Sequence, residues 1–67
     1  MSVAKITEIS ATSTSGFDDA VKNGLSRAHK TLKNVTGAWI SEQKVIVRDG
    51  EIDSFRVTMR VTFILED

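Results

Sequence analysis

The sequence contains no cysteine and no proline, and it has one histidine and one tryptophan. Without cysteine the chain can form neither a disulfide framework nor a thiolate metal site. A reducing, cytoplasmic location is therefore expected. Nine acidic residues balance nine basic ones, so the basic surplus typical of a nucleic-acid-binding protein is missing, and no nucleic-acid partner is expected. No linker or low-complexity run divides residues 1–67, which are expected to form one domain.

The sequence also lacks the motifs of common catalytic and metal sites. No nucleophile–base pair, glycine-rich phosphate loop or paired-histidine zinc spacing occurs. His29 has no second titratable group fixed opposite it by the pattern, so we expect no catalytic residue and no enzyme. The acidic cluster Asp49, Glu51 and Asp53 lacks the spacing of a calcium loop, and we interpret it as a solvated turn without a bound metal.

Membrane association is disfavoured as well. No apolar run approaches the roughly 20 residues that a membrane-spanning helix needs. The N-terminal residues show no charged leader followed by an apolar stretch. We therefore expect a soluble protein without a membrane partner.

The most regular pattern that is present covers Glu51–Glu66. Apolar residues at every second position predict a β-strand with one buried face; they are Phe55, Val57, Met59, Val61, Phe63 and Leu65. Such a strand would span roughly 50 Å, whereas a compact globule of this length is about 25–30 Å across. Because a chain this short also builds only a small core, we expect a homo-oligomer.

A helical period follows the N-terminal segment. Apolar residues three and four positions apart predict a helix over about Gly16–Asn34, with Ser15 as its N-cap. We expect this helix to pack on the long strand, with Phe17, Val21, Leu25 and Leu32 contacting Val57, Met59, Val61 and Phe63. Gly24 lies within the stripe and would allow a close approach to the sheet.

The remaining segments predict two further strands, Val3–Ser10 and Ala38–Arg48. Asp49-Gly50 is typical of a two-residue hairpin turn, which fixes the strand register. Counting back from that turn pairs Arg48 with Glu51, Gln43 with Arg56, Ile40 with Met59 and Trp39 with Arg60. The predicted fold is α+β, a β-α-β-β subunit with the third strand at the centre of a three-stranded antiparallel sheet packed on one helix.

Trp39, the one tryptophan of the sequence, is predicted to lie in an exposed position that the need for a buried core does not explain. The predicted register places Gly37, Trp39, Ser41 and Gln43 on the sheet face turned away from the helix, beside the arginines and threonines of the third strand. An exposed tryptophan in such a setting marks either a subunit interface or a stacking site for a ligand, and both alternatives remain open.

Four segments of the chain resemble the dodecins, a family of small bacterial and archaeal flavin-binding proteins. These segments are Lys5–Ile9 with the serine- and threonine-rich turn that follows, Ser26–Asn34, Asp49-Gly50 and Val57–Glu66. The resemblance covers nearly the whole chain. It implies a β-α-β-β subunit, a hollow shell of twelve subunits, and FMN or riboflavin stacked in pairs between symmetry-related tryptophans. The implied function is storage and buffering of flavin.

The resemblance also implies which residues would contact a flavin. The stacking tryptophan of the family falls at Gly37 here, with Trp39 two residues further along the same face. A flavin-contacting glutamine of the family falls at Arg56, and Glu42 occupies a position where some members have a flavin-contacting carboxylate. Trp39 and either Arg56 or Arg60 would then replace the family's tryptophan and glutamine.

A second group of dodecin-like proteins offers an alternative. Members of that group lack the tryptophan and have been linked to calcium. The pair Glu42-Gln43 is similar to theirs. The alternative function is a dodecin-like shell that does not bind flavin and serves as a structural or cation-binding assembly.

Overall fold

The computed structural model describes residues 2–66 of the chain. It contains four elements, β1 (Val3–Ser13), α1 (Phe17–His29), β2 (Val35–Arg48) and β3 (Glu51–Leu65). The strands form one antiparallel sheet in the order β1-β3-β2. The α+β class and the central position of the long strand are thus confirmed. The chain measures 51 × 19 × 13 Å, an elongated shape that follows from the length of β3.

The first strand is longer than predicted and reaches Ser13, which pairs with Phe55. Ser13 is buried, and its hydroxyl donates to the carboxylate of Asp19 at 2.6 Å and accepts the backbone N–H of Ser15 at 2.9 Å. This buried polar side chain is tolerated because both of its hydrogen bonds are made, one with Asp19 in the helix and one with Ser15 in the turn before it.

The helix differs from the prediction at both ends. No side chain caps its N-terminus, so the assignment of Ser15 as N-cap was wrong. The helix ends at His29, five residues before the predicted end at Asn34, where φ is positive at 62°. Leu32 lies in the turn between them but still packs against the core, which explains why the apolar period continued past the end of the helix.

The core lies between α1 and the adjacent face of β3. Four residues in it have no exposed surface, namely Ala20, Val57, Met59 and Val61. The helical contacts predicted for Phe17, Val21, Leu25 and Leu32 are confirmed. Phe63 was expected in the same contact, but it is half-buried and lies outside this cluster.

Gly24 brings the helix close to the sheet, as its position in the stripe predicted. A Cβ atom at this residue would lie 2.6 Å from Cε of Met59 and 3.0 Å from Cβ of Ala11. Both separations are shorter than ordinary van der Waals contact, so the helix could not pack as closely with a larger residue here.

The hairpin turn is present at Asp49-Gly50, where both residues have positive φ, as a tight turn of this kind requires. The pairs Arg48–Glu51, Ile40–Met59 and Trp39–Arg60 are confirmed. The pair Gln43–Arg56 was wrong.

Two irregularities in the ladder account for that error. One leaves Asp53 of β3 without a partner, and the other leaves Ser41 of β2 without one. Between them the register is displaced by one residue, so Gln43 lies opposite Val57 and Lys44 lies opposite Arg56. Because the two displacements have opposite sense, the pairs from Gly37–Thr62 to Ile40–Met59 follow the simple count again, and a third irregularity at Thr36 shifts Val35 to Phe63.

Candidate ligand-binding face

The sheet has one face under α1 and a second face that no element of residues 2–66 covers, which we call the open face. Partners in an antiparallel ladder point to the same side, so the register defines its residues. Its central part has four cross-strand rows, which in the order β1, β3, β2 are Ile6–Thr62–Gly37, Glu8–Arg60–Trp39, Ser10–Thr58–Glu42 and Thr12–Arg56–Lys44.

Trp39 and Arg60 form the centre of the second row. The guanidinium carbon of Arg60 lies 5.0 Å from the centroid of the Trp39 ring, a cation–π contact. Nε of Arg60 is 3.6 Å from a carboxylate oxygen of Glu8, which holds the arginine from the other side. Trp39 is nevertheless 63% exposed, so one side of its ring stays accessible.

Gly37 lies two residues before Trp39 on the same face. A Cβ atom at this position would meet nothing within 4 Å. The strand therefore leaves open space beside the indole, at the position where the resemblance placed the family's tryptophan. A planar ligand can lie against Trp39 on this side without meeting a side chain of β2.

Glu42 joins the open face because Ser41 is the unpaired residue of a bulge. The Ser41 hydroxyl donates to the backbone carbonyl of Thr58 at 3.1 Å, which fixes the displaced strand. Glu42 then lies opposite Thr58, next to the row of Trp39. Gln43 lies on the helix side instead, so its predicted place beside the arginines was wrong, and the pair Glu42-Gln43 is split between the two faces.

Arg56 lies at the far end of the open face. Its row is two rows from that of Arg60, or about 13 Å along the strand. Nε of Arg56 donates to Oγ1 of Thr12 at 3.3 Å. Gly37 pairs with Thr62 at the opposite end, so the fold of the single chain does not bring Gly37 and Arg56 together. The five candidate residues share one face and form a line along it.

Sequence reasoning missed the β1 residues of this face, and it missed two charged residues, Glu8 and Lys44. Glu8 could have been found from the alternation of β1 once β1 was paired with β3. Lys44 could not, because only the bulge places it opposite Arg56. Within residues 2–66, no group of three histidine or acidic side chains is arranged to hold a metal ion. The part of the chain that the structure describes also contains no helix long and apolar enough to span a membrane.

The chain is similar to several solved structures. A dodecin from Streptomyces davaonensis is 36% identical, with a TM-score of 0.93 over 98% of this chain and 97% of that one. A dodecin from Streptomyces coelicolor is 29% identical, with a TM-score of 0.93 over 98% of this chain and 94% of that one. The tt0972 protein from Thermus thermophilus is 28% identical, with a TM-score of 0.93 over 100% of this chain and 98% of that one.

The fold and the site thus define a class of small β-α-β-β proteins with an exposed tryptophan on the sheet face that no element of residues 2–66 covers. The Dodecin family model matches residues 3–66. The chain belongs to the dodecin family. No curated protein matches the sequence.

Proposed function

We propose that the protein is a flavin-binding storage and buffering protein, with no catalytic activity of its own, that takes FMN or riboflavin onto the open face. The observation that carries the proposal is Trp39, the chain's one tryptophan, which is 63% exposed beside an arginine on a sheet face that no element of residues 2–66 covers. A large aromatic residue in such a position supplies a flat apolar surface for another planar ring. Family membership supports flavin as that ring.

Each candidate residue has a distinct part in this proposal. The isoalloxazine ring stacks on the accessible side of Trp39, above the open space at Gly37. Arg60, held by Glu8, contacts the other side of the indole and keeps it upright. Glu42, one row away, offers a carboxylate to the N–H of the flavin pyrimidine, and Arg56 offers donors at the far end of the ligand.

The proposal includes a closed homododecamer built from one dodecin-like domain, residues 1–67, in the cytoplasm. Both β1 and β2 are edge strands of the subunit, and open edges are commonly covered by pairing between chains. Apolar side chains near the ends of the molecule are exposed as well; Val3, Ile6, Val47, Ile52 and Leu65 are 47–61% exposed. Contacts between subunits would bury surface that the small core leaves in water.

Sedimentation velocity at micromolar concentration tests the assembly. We expect a single large species and no substantial monomer. A well-folded monomer would contradict the closed shell, although it would leave the ligand test below intact.

Trp39→Ala tests the site. Purified parent protein, mixed with riboflavin or FMN and passed through a desalting column, should retain absorbance between about 350 and 500 nm, the region chosen for the flavin chromophore. The Trp39→Ala variant should lose this flavin absorbance. By analogy with nucleobases, stacking on an aromatic side chain contributes roughly 1–3 kcal/mol to the binding free energy of a ring.

Ile40→Ala is the matched control, since Ile40 is the next residue of β2, is 40% exposed and lies on the helix side. It should retain flavin. If Trp39→Ala instead dissociates the oligomer and the parent retains no flavin, Trp39 is an interface residue. That result would favour the alternative function, in which the protein forms a structural or cation-binding shell that does not bind flavin.

A further inference from the structure

The hairpin of β2 and β3 continues past the point where α1 begins. The ring of Phe17, the first residue of α1, packs edge-on against the ring of Phe55 with the centroids 5.1 Å apart. Val45 is paired with Phe55 and lies on the same side of the sheet. Val47 lies on that side as well, two residues further along, with its partner Ile52. These three aliphatic residues, which we call the tip patch, are 39–60% exposed because α1 does not reach this end of the hairpin.

Acidic residues flank the tip patch along the chain. Asp49, Glu51 and Asp53 are all exposed. Arg48 is the one basic residue among residues 45–53, so this segment carries a net charge of −2. Within residues 2–66 these carboxylates are not arranged to hold a metal ion. An exposed apolar patch bordered by charged residues is typical of a surface that contacts another protein.

A groove of about 490 Å³ lies between α1 and the edge strand β1, and we call it the side groove. Its apolar lining residues are Ile9, Ala11, Gly24, Ala28 and Leu32. Arg27 is the one charged residue of the lining, and it is exposed, so the groove carries a net charge of +1. A cavity of roughly 150 Å³ can hold a benzene molecule, so the side groove has room for several aliphatic side chains.

We propose that the tip patch of one copy of this chain docks in the side groove of a second copy. The two surfaces are complementary, because each has an apolar centre and they carry opposite net charges. One chain cannot make this contact with itself, since the sheet order β1-β3-β2 puts the groove and β2 at opposite edges. The inference rests on the assembly in the proposed function and does not require flavin.

The docking joins two different surfaces, so each docked copy still offers a free tip patch or a free side groove to another copy. Contacts of this head-to-tail kind add copies until the series closes into a ring. The tip of the neighbouring copy would also cover part of the open edge of β1, a common way to protect an edge strand. The acidic turn and the uncovered end of the hairpin thus have a role in closing the shell.

Cross-linking tests the contact directly, because the chain has no cysteine and an introduced thiol marks a single position. The double variant Ile52→Cys/Asn23→Cys places one thiol in the tip patch and one at the side groove. After treatment with a short bismaleimide, a denaturing gel should show covalent species of three or more chains. Either single variant can link at most two chains.

Ile52→Cys/Ser26→Cys is the matched control for cross-linking, since Ser26 is an exposed residue of α1 that does not line the side groove. It should give no species above two linked chains.

A charge reversal tests the electrostatic part of the docking. Arg27→Glu places a negative groove opposite the negative tip, so sedimentation velocity at micromolar concentration should show smaller species in place of the large one. Adding Asp53→Lys brings the net charge of residues 45–53 to zero and should restore the large species at least in part. Asp53 has no partner in the β2–β3 ladder, so its substitution leaves the strand pairing intact. Lys22→Glu, the control at another exposed position of α1, should leave the oligomer unchanged.

The outcomes separate this docking from the assembly itself. A well-folded monomer of the parent protein would overturn both. A large parent oligomer whose Ile52→Cys/Asn23→Cys variant yields nothing beyond two linked chains would overturn the docking and leave the closed shell in place. The same conclusion would follow from a sedimentation profile that Arg27→Glu does not change, or one that Asp53→Lys fails to restore.

Discussion

The two faces of β3 carry alternating residues of one strand in opposite environments. Val57, Met59 and Val61 have no exposed surface and contact the helix, whereas the side chain of Arg60, between two of them, is 49% exposed. The covered face is apolar and supports the fold. The open face is rich in charged and hydroxyl side chains and carries the candidate site. Stability and ligand binding are therefore expected to respond to different substitutions within the same strand.

Met59→Ala should give the largest effect on stability. The methionine is fully buried at the centre of the core, and truncation of such a residue costs about 2–5 kcal/mol. The free energy of unfolding is measured by urea titration at one fixed protein concentration, because assembly makes stability concentration-dependent. A change below about 0.5 kcal/mol, the level of surface substitutions, would mean that the covered face does not support the fold.

Gly24→Ala should have an intermediate effect. Alanine improves helix propensity by about 1 kcal/mol, but its Cβ would crowd Met59 and Ala11, and overpacking costs typically 1–3 kcal/mol. We expect a net destabilisation of about 1 kcal/mol in the same titration. The double variant with Met59→Ala should lose most of the penalty, since the 2.6 Å contact is with the methyl group of Met59. Stabilisation by Gly24→Ala alone would show that the helix does not lie as close to the sheet.

Arg60→Ala should have the smallest effect on stability. It removes an exposed ion pair with Glu8 and a cation–π contact, each worth less than about 1 kcal/mol at the surface. The same variant should weaken flavin binding, because the indole loses the group that contacts its second side. A large loss of stability with unchanged flavin binding would reverse the roles assigned to the two faces.

Most of the fold could be predicted from the sequence because its signals are local. The alternation of β3, the apolar stripe of α1 and the Asp49-Gly50 turn each specify an element and together specify the topology. The predicted end of α1 was wrong because a helix and a turn that packs on the core can show the same apolar period. Leu32 packs on the core from a turn as it would from a helix, so periodicity alone could not place the end of α1.

The candidate site could be predicted less fully, and the reason is the bulges of the β2–β3 ladder. Residues 41–44 are all polar, so no apolar alternation reports the register there. The predicted line of Gly37, Trp39 and the two arginines is present on one face. Lys44 rather than Gln43 lies opposite Arg56 because Asp53 of β3 is unpaired, and the sequence has no distinct signal for that bulge.

The most direct test of the flavin-binding proposal is a fluorescence titration of the parent protein with riboflavin. Because Trp39 is the only tryptophan, its emission reports on the proposed site alone. We expect saturable quenching of both tryptophan and flavin emission, since stacked aromatic partners allow rapid electron transfer in the excited state. No quenching at riboflavin concentrations up to about 100 μM, a limit of roughly −5.5 kcal/mol in binding free energy, would contradict the proposal.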